Sequence, residues 1–171
     1  DTVIVALADM HGRLVGKRRR PPGLRLSRQI ASAAAVGAIR PRIVLPAAAA
    51  DESHAPAVRA ALAHEWAHIR HGDLWLLALE RLLIPLLAWH PLFWILRRGV
   101  RLDLELLADA AAAGEQPIEY AEALVVWAKS AGRAPLGVAA LSLWESPHTL
   151  SRRIAMLVDP NLSAGSPASR G

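Results

Sequence analysis

His64-Glu65-Trp66-Ala67-His68 sets two imidazoles four residues apart, with a carboxylate directly after the first. On a helix, residues four apart stand one above the other on one face. Two imidazoles so placed can share a metal ion, and Glu65, pointing beside it, can take a proton from a water held there. The chemistry this spacing suits is hydrolysis by a metal-activated water. The opposed reading is a pair of satisfied histidines on a surface helix. Context weighs against it, because the motif falls mid-helix with apolar residues on the other face.

A tetrahedral catalytic zinc takes three protein ligands and keeps a fourth position open. The chain has no Cys, which excludes thiolates and leaves His and carboxylates. His71 is one candidate, but seven residues from His64 is about 10 Å along a helix axis, too far for a shared ion. It also stands where the HExxHxxGxxH pattern needs glycine, and Leu74 stands where that pattern needs histidine. His71 therefore reads as a helix C-terminal residue interacting with the dipole. Glu105 is the better candidate. It lies in Arg101-Leu-Asp-Leu-Glu-Leu-Leu-Ala-Asp109, four residues from Asp109 and on the same face of a separate helix. An antiparallel partner helix can present Glu105 to the two histidines. Asp109 can then accept the free ring N–H of one of them and fix its tautomer. The alternative is a carboxylate pair on a solvated face, or partners for Arg97 and Arg101.

These residues need helices to carry them, and the pattern supplies them. Val58, Leu62, Trp66 and Ile69 have helical spacing, Asp51 or Ser53 can cap the start, and Gly72 ends the element as a C′ glycine. Asp73 then caps an apolar helix reaching about Trp89. Pro91 opens a further helix that stops at Gly114, and Pro117–Lys129 and Pro147–Val158 are two more. The apolar run from Leu74 to Leu96 has the length of a membrane span, roughly 20 residues. Pro85 and His90-Pro91 break it, so it reads as two shorter helices, buried or hairpin-like at a membrane surface. Upstream, Thr2–Leu7 reads as a strand or the end of a lost helix, Met10–Gly23 is a loop, and Gly23–Ile30 is ambiguous. Arg42–Leu45 reads as a strand, and the prolines on either side favour an edge position. Gly132–Ser146 reads as irregular. The Ala runs at 33–35, 47–50 and 110–113 read as composition bias.

The 171 residues fit one domain with a real core. The net charge is +5, the pI is about 10.9, and the densest basic run is Lys17-Arg18-Arg19-Arg20. Such a run could touch nucleic acid or anionic lipid, but no aromatics interleave with it and no reading helix is recognisable, so a nucleic-acid site is disfavoured and the run reads as a solvated loop. No signal peptide pattern opens the chain. The numbering begins without Met, so a piece of a longer protein is expected.

HEWAHIRHGD at 64–73, WHPLFW at 89–94 and RLDLELLADAAA at 101–112 resemble the BlaR/MecR family of membrane zinc peptidases. GAIRPRIVLP at 37–46 and LSRRIAMLV at 150–158 are similar to that family's strand before the metal helix and its last helix, so the likeness covers 24–158. The resemblance implies an α+β, mostly helical, zincin-like domain with a small N-terminal strand unit and a metal-binding helix pair. On this reading residues 1–158 form the peptidase domain and 159–171 a flexible tail. His64, His68 and Glu105 would hold Zn2+, Glu65 would be the general base, and Asp109 would orient a ligand. His148, Arg152 and Arg153 are candidates to stabilise the oxyanion. The family's plan places the domain on the cytoplasmic side of a bacterial inner membrane, flanked by transmembrane helices. This chain departs from that plan, and its membrane association is expected through 74–96 or through missing flanking helices. In the family's plan a signal leads to cleavage of a protein such as a winged-helix repressor, and an oligomer is compatible with it. The chain shows no sensor domain, so β-lactam sensing is not carried over. The HtpX-type quality-control proteases share HExxH and a downstream ExxxD and are the alternative, as is a non-catalytic module with a structural metal.

The ligand assignment can be tested directly. Glu105→Ala should weaken zinc binding by at least about tenfold, as loss of one of three ligands would, while His71→Ala should leave it unchanged. Metal competition against a chromophoric chelator reads both, and the reverse result would make His71 the ligand.

Overall fold

A computed structural model of the chain describes residues 22–30, 32–50, 55–131 and 147–159. Its first organising unit is Arg42–Pro46, here β3, whose alternate residues Ile43 and Leu45 are both fully buried. That is the two-residue period of a strand with one face in the core. β1 (Gly23–Ser27) pairs with it in parallel and β2 (Ala34–Val36) pairs antiparallel, giving the order β1-β3-β2. The edge position expected from the flanking prolines is therefore wrong: Arg42–Leu45 is the central strand. Pro41 precedes the ladder and Pro46 is its last residue, so neither removes an N–H from the middle. The ambiguous 23–30 segment supplies β1, and the Ala run at 33–35, read as composition bias, supplies most of β2.

Helix α1 (Ala55–His71) lays Val58 and Leu62 on the sheet, where they close a core with Ile43, Leu45 and Ala49. Leu24, Ala33 and Ile69 pack at its margin. Because that face of α1 is taken by the sheet, His64 and His68 fall on the side packed by helices. α1 ends on Gly72 at φ 83°, a left-handed conformation that favours glycine. The Gly72 N–H donates to the His68 carbonyl. The chain turns there into α2 (Asp73–Leu87), breaks at 88–90, and returns as α3 (Pro91–Ala113). α3 packs against α1, and both α4 (Pro117–Ala131) and α5 (Pro147–Val158) pack against α3. The architecture is thus α+β and mostly helical, with a three-stranded sheet at one side.

The Leu74–Leu96 run forms two helices, as its prolines implied, but the break is at 88–90 and not at Pro85. Pro85 lies inside the last turn of α2, where its missing N–H costs only one ladder bond before the helix ends. Among the described residues no helix is long and apolar enough to cross a membrane. Glu80 ties α2 to α3: it accepts from Arg97 Nε at 2.6 Å, Arg101 Nε at 3.0 Å and Arg101 Nη2 at 2.8 Å. Partial burial pushes the Glu80 carboxyl up, but the hydrogen bonds and charges of Arg101 and Arg97 outweigh it and hold it below the usual range. Arg97 and Arg101 are thus both engaged by Glu80. The Thr2–Leu7 and Lys17–Arg20 segments, the Asp51 and Ser53 caps, Gly132–Ser146 and the tail from 160 lie outside the described residues.

Leu45 is fully buried between the sheet and α1. Leu45→Ala should cost about 2–5 kcal/mol, the range for deleting a buried leucine. Leu26→Ala, at a 39% exposed position on β1, should cost less. Urea unfolding of the two variants would show the difference, and equal losses would contradict a core centred on β3.

Candidate metal centre

The two histidines of α1 turn their Nε2 atoms towards each other at 3.1 Å. Glu105, from the middle of α3, brings Oε2 to 3.3 Å from His64 Nε2 and Oε1 to 3.7 Å from His68 Nε2. One donor atom from each of the three residues lies within 4.8 Å of the others. The packing of α3 against α1 makes this convergence, with two donors from α1 and the third from α3. His71, exposed at the end of α1, is not among them.

The other ring nitrogen of each histidine is occupied. His68 Nδ1 is 2.7 Å from Asp73 Oδ2, and His64 Nδ1 is 3.0 Å from both Asp109 Oδ1 and the Tyr120 hydroxyl. A carboxylate only accepts, so each Nδ1 donates, and each Nε2 is left with its lone pair aimed into the cluster. Two lone pairs and a carboxylate at 3.1–3.7 Å repel one another unless a cation sits among them. The proton shows the same demand. Burial lowers the His64 imidazole, yet its hydrogen bonds to Asp109 and Glu105 and the charge of Glu65 push it up to about 10. Borderline nitrogen and oxygen donors of this kind suit a first-row divalent metal, and three of them leave a position open.

Asp109 anchors the arrangement. It is 1% exposed and accepts from Arg153 Nε at 2.6 Å, Arg153 Nη2 at 2.8 Å and Tyr120 OH at 2.8 Å. Burial raises its carboxyl, but Arg153 and His64 overcome that and hold it far below the usual range. Tyr120 is driven well above the ordinary phenol range by burial and by the Asp109 charge, so it stays a donor. Arg153 also reaches Glu105 Oε2 at 3.4 Å. It was a candidate for the oxyanion, but it is 2% exposed and spans the two carboxylates, so it is part of the scaffold of the cluster. Arg152 is exposed.

Glu65 is buried beside His64 and accepts from the Ala35 N–H at 2.5 Å. Burial raises its carboxyl against the lowering by His64, His68 and the Ala35 N–H, which makes it a stronger base than a solvated glutamate. Glu105 moves the other way: burial raises it, and His64, Arg153 and His68 hold it below the usual range. The structure therefore brings His64, Glu65, His68, Glu105 and Asp109 together. It adds Asp73, Tyr120, Arg153 and the Ala35 N–H. Asp73 was expected to cap α2, but it makes no capping hydrogen bond and turns its carboxylate to His68. Its five-residue offset from His68 matches no helix face, and only the left-handed turn at Gly72 closes it. Tyr120 carried one signal, as the sole tyrosine of the chain.

A helix bearing HExxH, crossed by a carboxylate-bearing helix and flanked by a small sheet, defines a zincin-like metallopeptidase domain. The sequence model of the BlaR1 peptidase M56 family matches residues 8–157, and the chain belongs to that family. It is a family of membrane-associated metallopeptidases. No curated protein and no solved structure matches the chain significantly.

The Nδ1 contacts give Asp73 and Asp109 equal standing as orienting carboxylates. Asp73→Asn and Asp109→Asn should each weaken metal affinity about 10–100-fold, the usual cost of losing such a partner. If Asp73→Asn binds metal as tightly as the parent, the His68–Asp73 contact has no orienting role.

Proposed function

We propose that the chain is a zinc-dependent endopeptidase whose ligands are His64, His68 and Glu105 and whose general base is Glu65. The observation that carries this reading is the convergence of the three donors with a buried, basicity-raised carboxylate beside them. Bound Zn2+ would act as a Lewis acid, lowering the pKa of a water and polarising the peptide carbonyl. Glu65 takes the proton of the attacking water and returns it to the leaving amine. Asp73 and Asp109 hold the imidazoles in the tautomer that offers Nε2. β2 is an edge strand, and its Ala35 N–H points away from β3 to Glu65. An extended substrate adding to that edge would pass beside the base, main chain to main chain.

Family membership supports placing this activity in a membrane signal transducer that cleaves a cytoplasmic protein such as a winged-helix repressor. A structural metal site would close its fourth position with a protein ligand, and among the described residues the donor group holds three.

Glu65→Gln separates the two readings, since an amide keeps the size but cannot accept the proton. Zinc content and fold should be retained while cleavage of self or of candidate repressors falls about 10²–10⁴-fold, the contribution of a general base. Cleavage that resists a chelator, or that is equal in Glu65→Gln, would falsify the mechanism.

A further inference from the structure

The hairpin of α2 and α3 is built against the usual rule for a protein surface. No residue from 74 to 96 is buried. Around its turn, Leu82, Leu86, Trp89, Leu92, Ile95 and Leu96 are each 61–77% exposed. Scattered apolar exposure is ordinary, but six large apolar side chains this exposed within fifteen residues of one hairpin mark an interaction site.

Three features point to what covers it. The first is polar satisfaction. At the turn the carbonyls of Leu86, Leu87 and Ala88 accept from the Trp89 indole, the His90 N–H and the Trp94 indole, at 2.8, 2.9 and 2.8 Å. The Leu92 N–H donates to His90 Nδ1, and the Phe93 N–H to the His90 carbonyl. Water would satisfy these groups on an exposed turn at no cost. Internal partners for non-helical backbone are what a medium without hydrogen bonds requires. The second is charge. The fifteen residues from 82 to 96 contain no Asp, Glu, Lys or Arg. Arg81 and Arg98, both exposed, bound this segment. Each lies seven residues from the turn, Arg81 before Ala88 and Arg98 after Pro91, which is about 10 Å down each helix. The charges that lie between the helices, Glu80 with Arg97 and Arg101, are paired with one another. The third is length. A tip about 10 Å tall matches the depth an interfacial element reaches into the headgroup and acyl boundary, and it is far short of the roughly 30 Å hydrocarbon core.

We propose that the α2–α3 hairpin is a wedge that dips tip first into one leaflet of an anionic bilayer, with Trp89 at its apex and Arg81 and Arg98 at the level of the lipid phosphates. The insertion holds whether or not the metal cluster cleaves peptides, because no residue of the wedge is a ligand or the base.

The absence of cysteine makes the test clean. Single cysteines at Leu86 and, as a control near the base of the hairpin, at Asp103 are labelled with an environment-sensitive dye on the full chain. The protein is mixed with vesicles of phosphatidylethanolamine and phosphatidylglycerol, or of phosphatidylcholine alone. The dye at 86 should shift to the blue and be quenched by brominated acyl chains, while the dye at 103 stays aqueous. Leu86→Ser with Trp89→Ser should weaken partitioning by at least about tenfold, from the apolar area lost. Arg81→Gln and Arg98→Gln should each weaken binding to the anionic vesicles about fivefold and leave phosphatidylcholine binding unchanged. A dye at 86 that stays aqueous, or partitioning that the tip variants do not alter, overturns the proposal. So does a blue shift that appears without lipid and rises with protein concentration, since that outcome assigns the tip to a second copy of the chain.

Discussion

One buried carboxylate holds the helical layer together. Asp109 belongs to α3, and the groups that meet it are His64 of α1, Tyr120 of α4 and Arg153 of α5. A lone carboxylate at that depth would be costly to keep charged. Here two guanidinium bonds, a phenol and an imidazole N–H satisfy both oxygens, so its ionised form is the favoured one. The consequence is geometric. Four helices share one point, and the histidine that offers Nε2 to the cluster is held from behind by that same point.

The cluster as a whole is over-supplied with negative charge. Glu65, Glu105, Asp73 and Asp109 surround the two imidazoles, and Arg153 is the guanidinium reaching Asp109 and Glu105. The elevated proton affinity of His64 follows from that imbalance, which outweighs its burial, and that of the Glu65 carboxyl follows first from burial. A divalent cation between the Nε2 atoms would meet both demands with one particle. The helical sequence thus builds a site whose protein charges are incomplete by design of its own packing, while the carboxylate beside it is left basic.

The hairpin connects this centre to the surface. Asp73, at its first residue, holds His68, and Glu105 lies further along α3, so both arms of the hairpin carry groups of the cluster. Between the cluster and the apolar tip stands the Glu80 clip with Arg97 and Arg101, and Arg97 also lies over the Trp94 ring at 5.2 Å. Polar groups inside, apolar groups outside and arginines at the boundary make the hairpin's outer half the inverse of an ordinary surface element.

Local patterns in the sequence were enough for the helices and for much of the centre. HExxH mid-helix and the Glu105–Asp109 pair are statements about spacing on one helix each, and spacing is local. The stops at Gly72 and Gly114 and the division of 74–96 are likewise backbone chemistry of single residues. What only the tertiary structure decided were relations between elements. Arg42–Leu45 became the central strand because β1 and β2 found it from both sides, which no local proline signal reports. Ala35, in a run with no side chain to read, matters through its main-chain N–H, and sequence does not encode where an N–H points. Asp73 changed from a cap to a partner of His68 because a left-handed glycine turned it back. Tyr120 and Arg153 joined the centre from helices whose own periodicity is ordinary. A residue's spacing fixes which face of its helix it occupies, but what it meets there depends on which other surface packs against that face, and that is settled only when the chain folds.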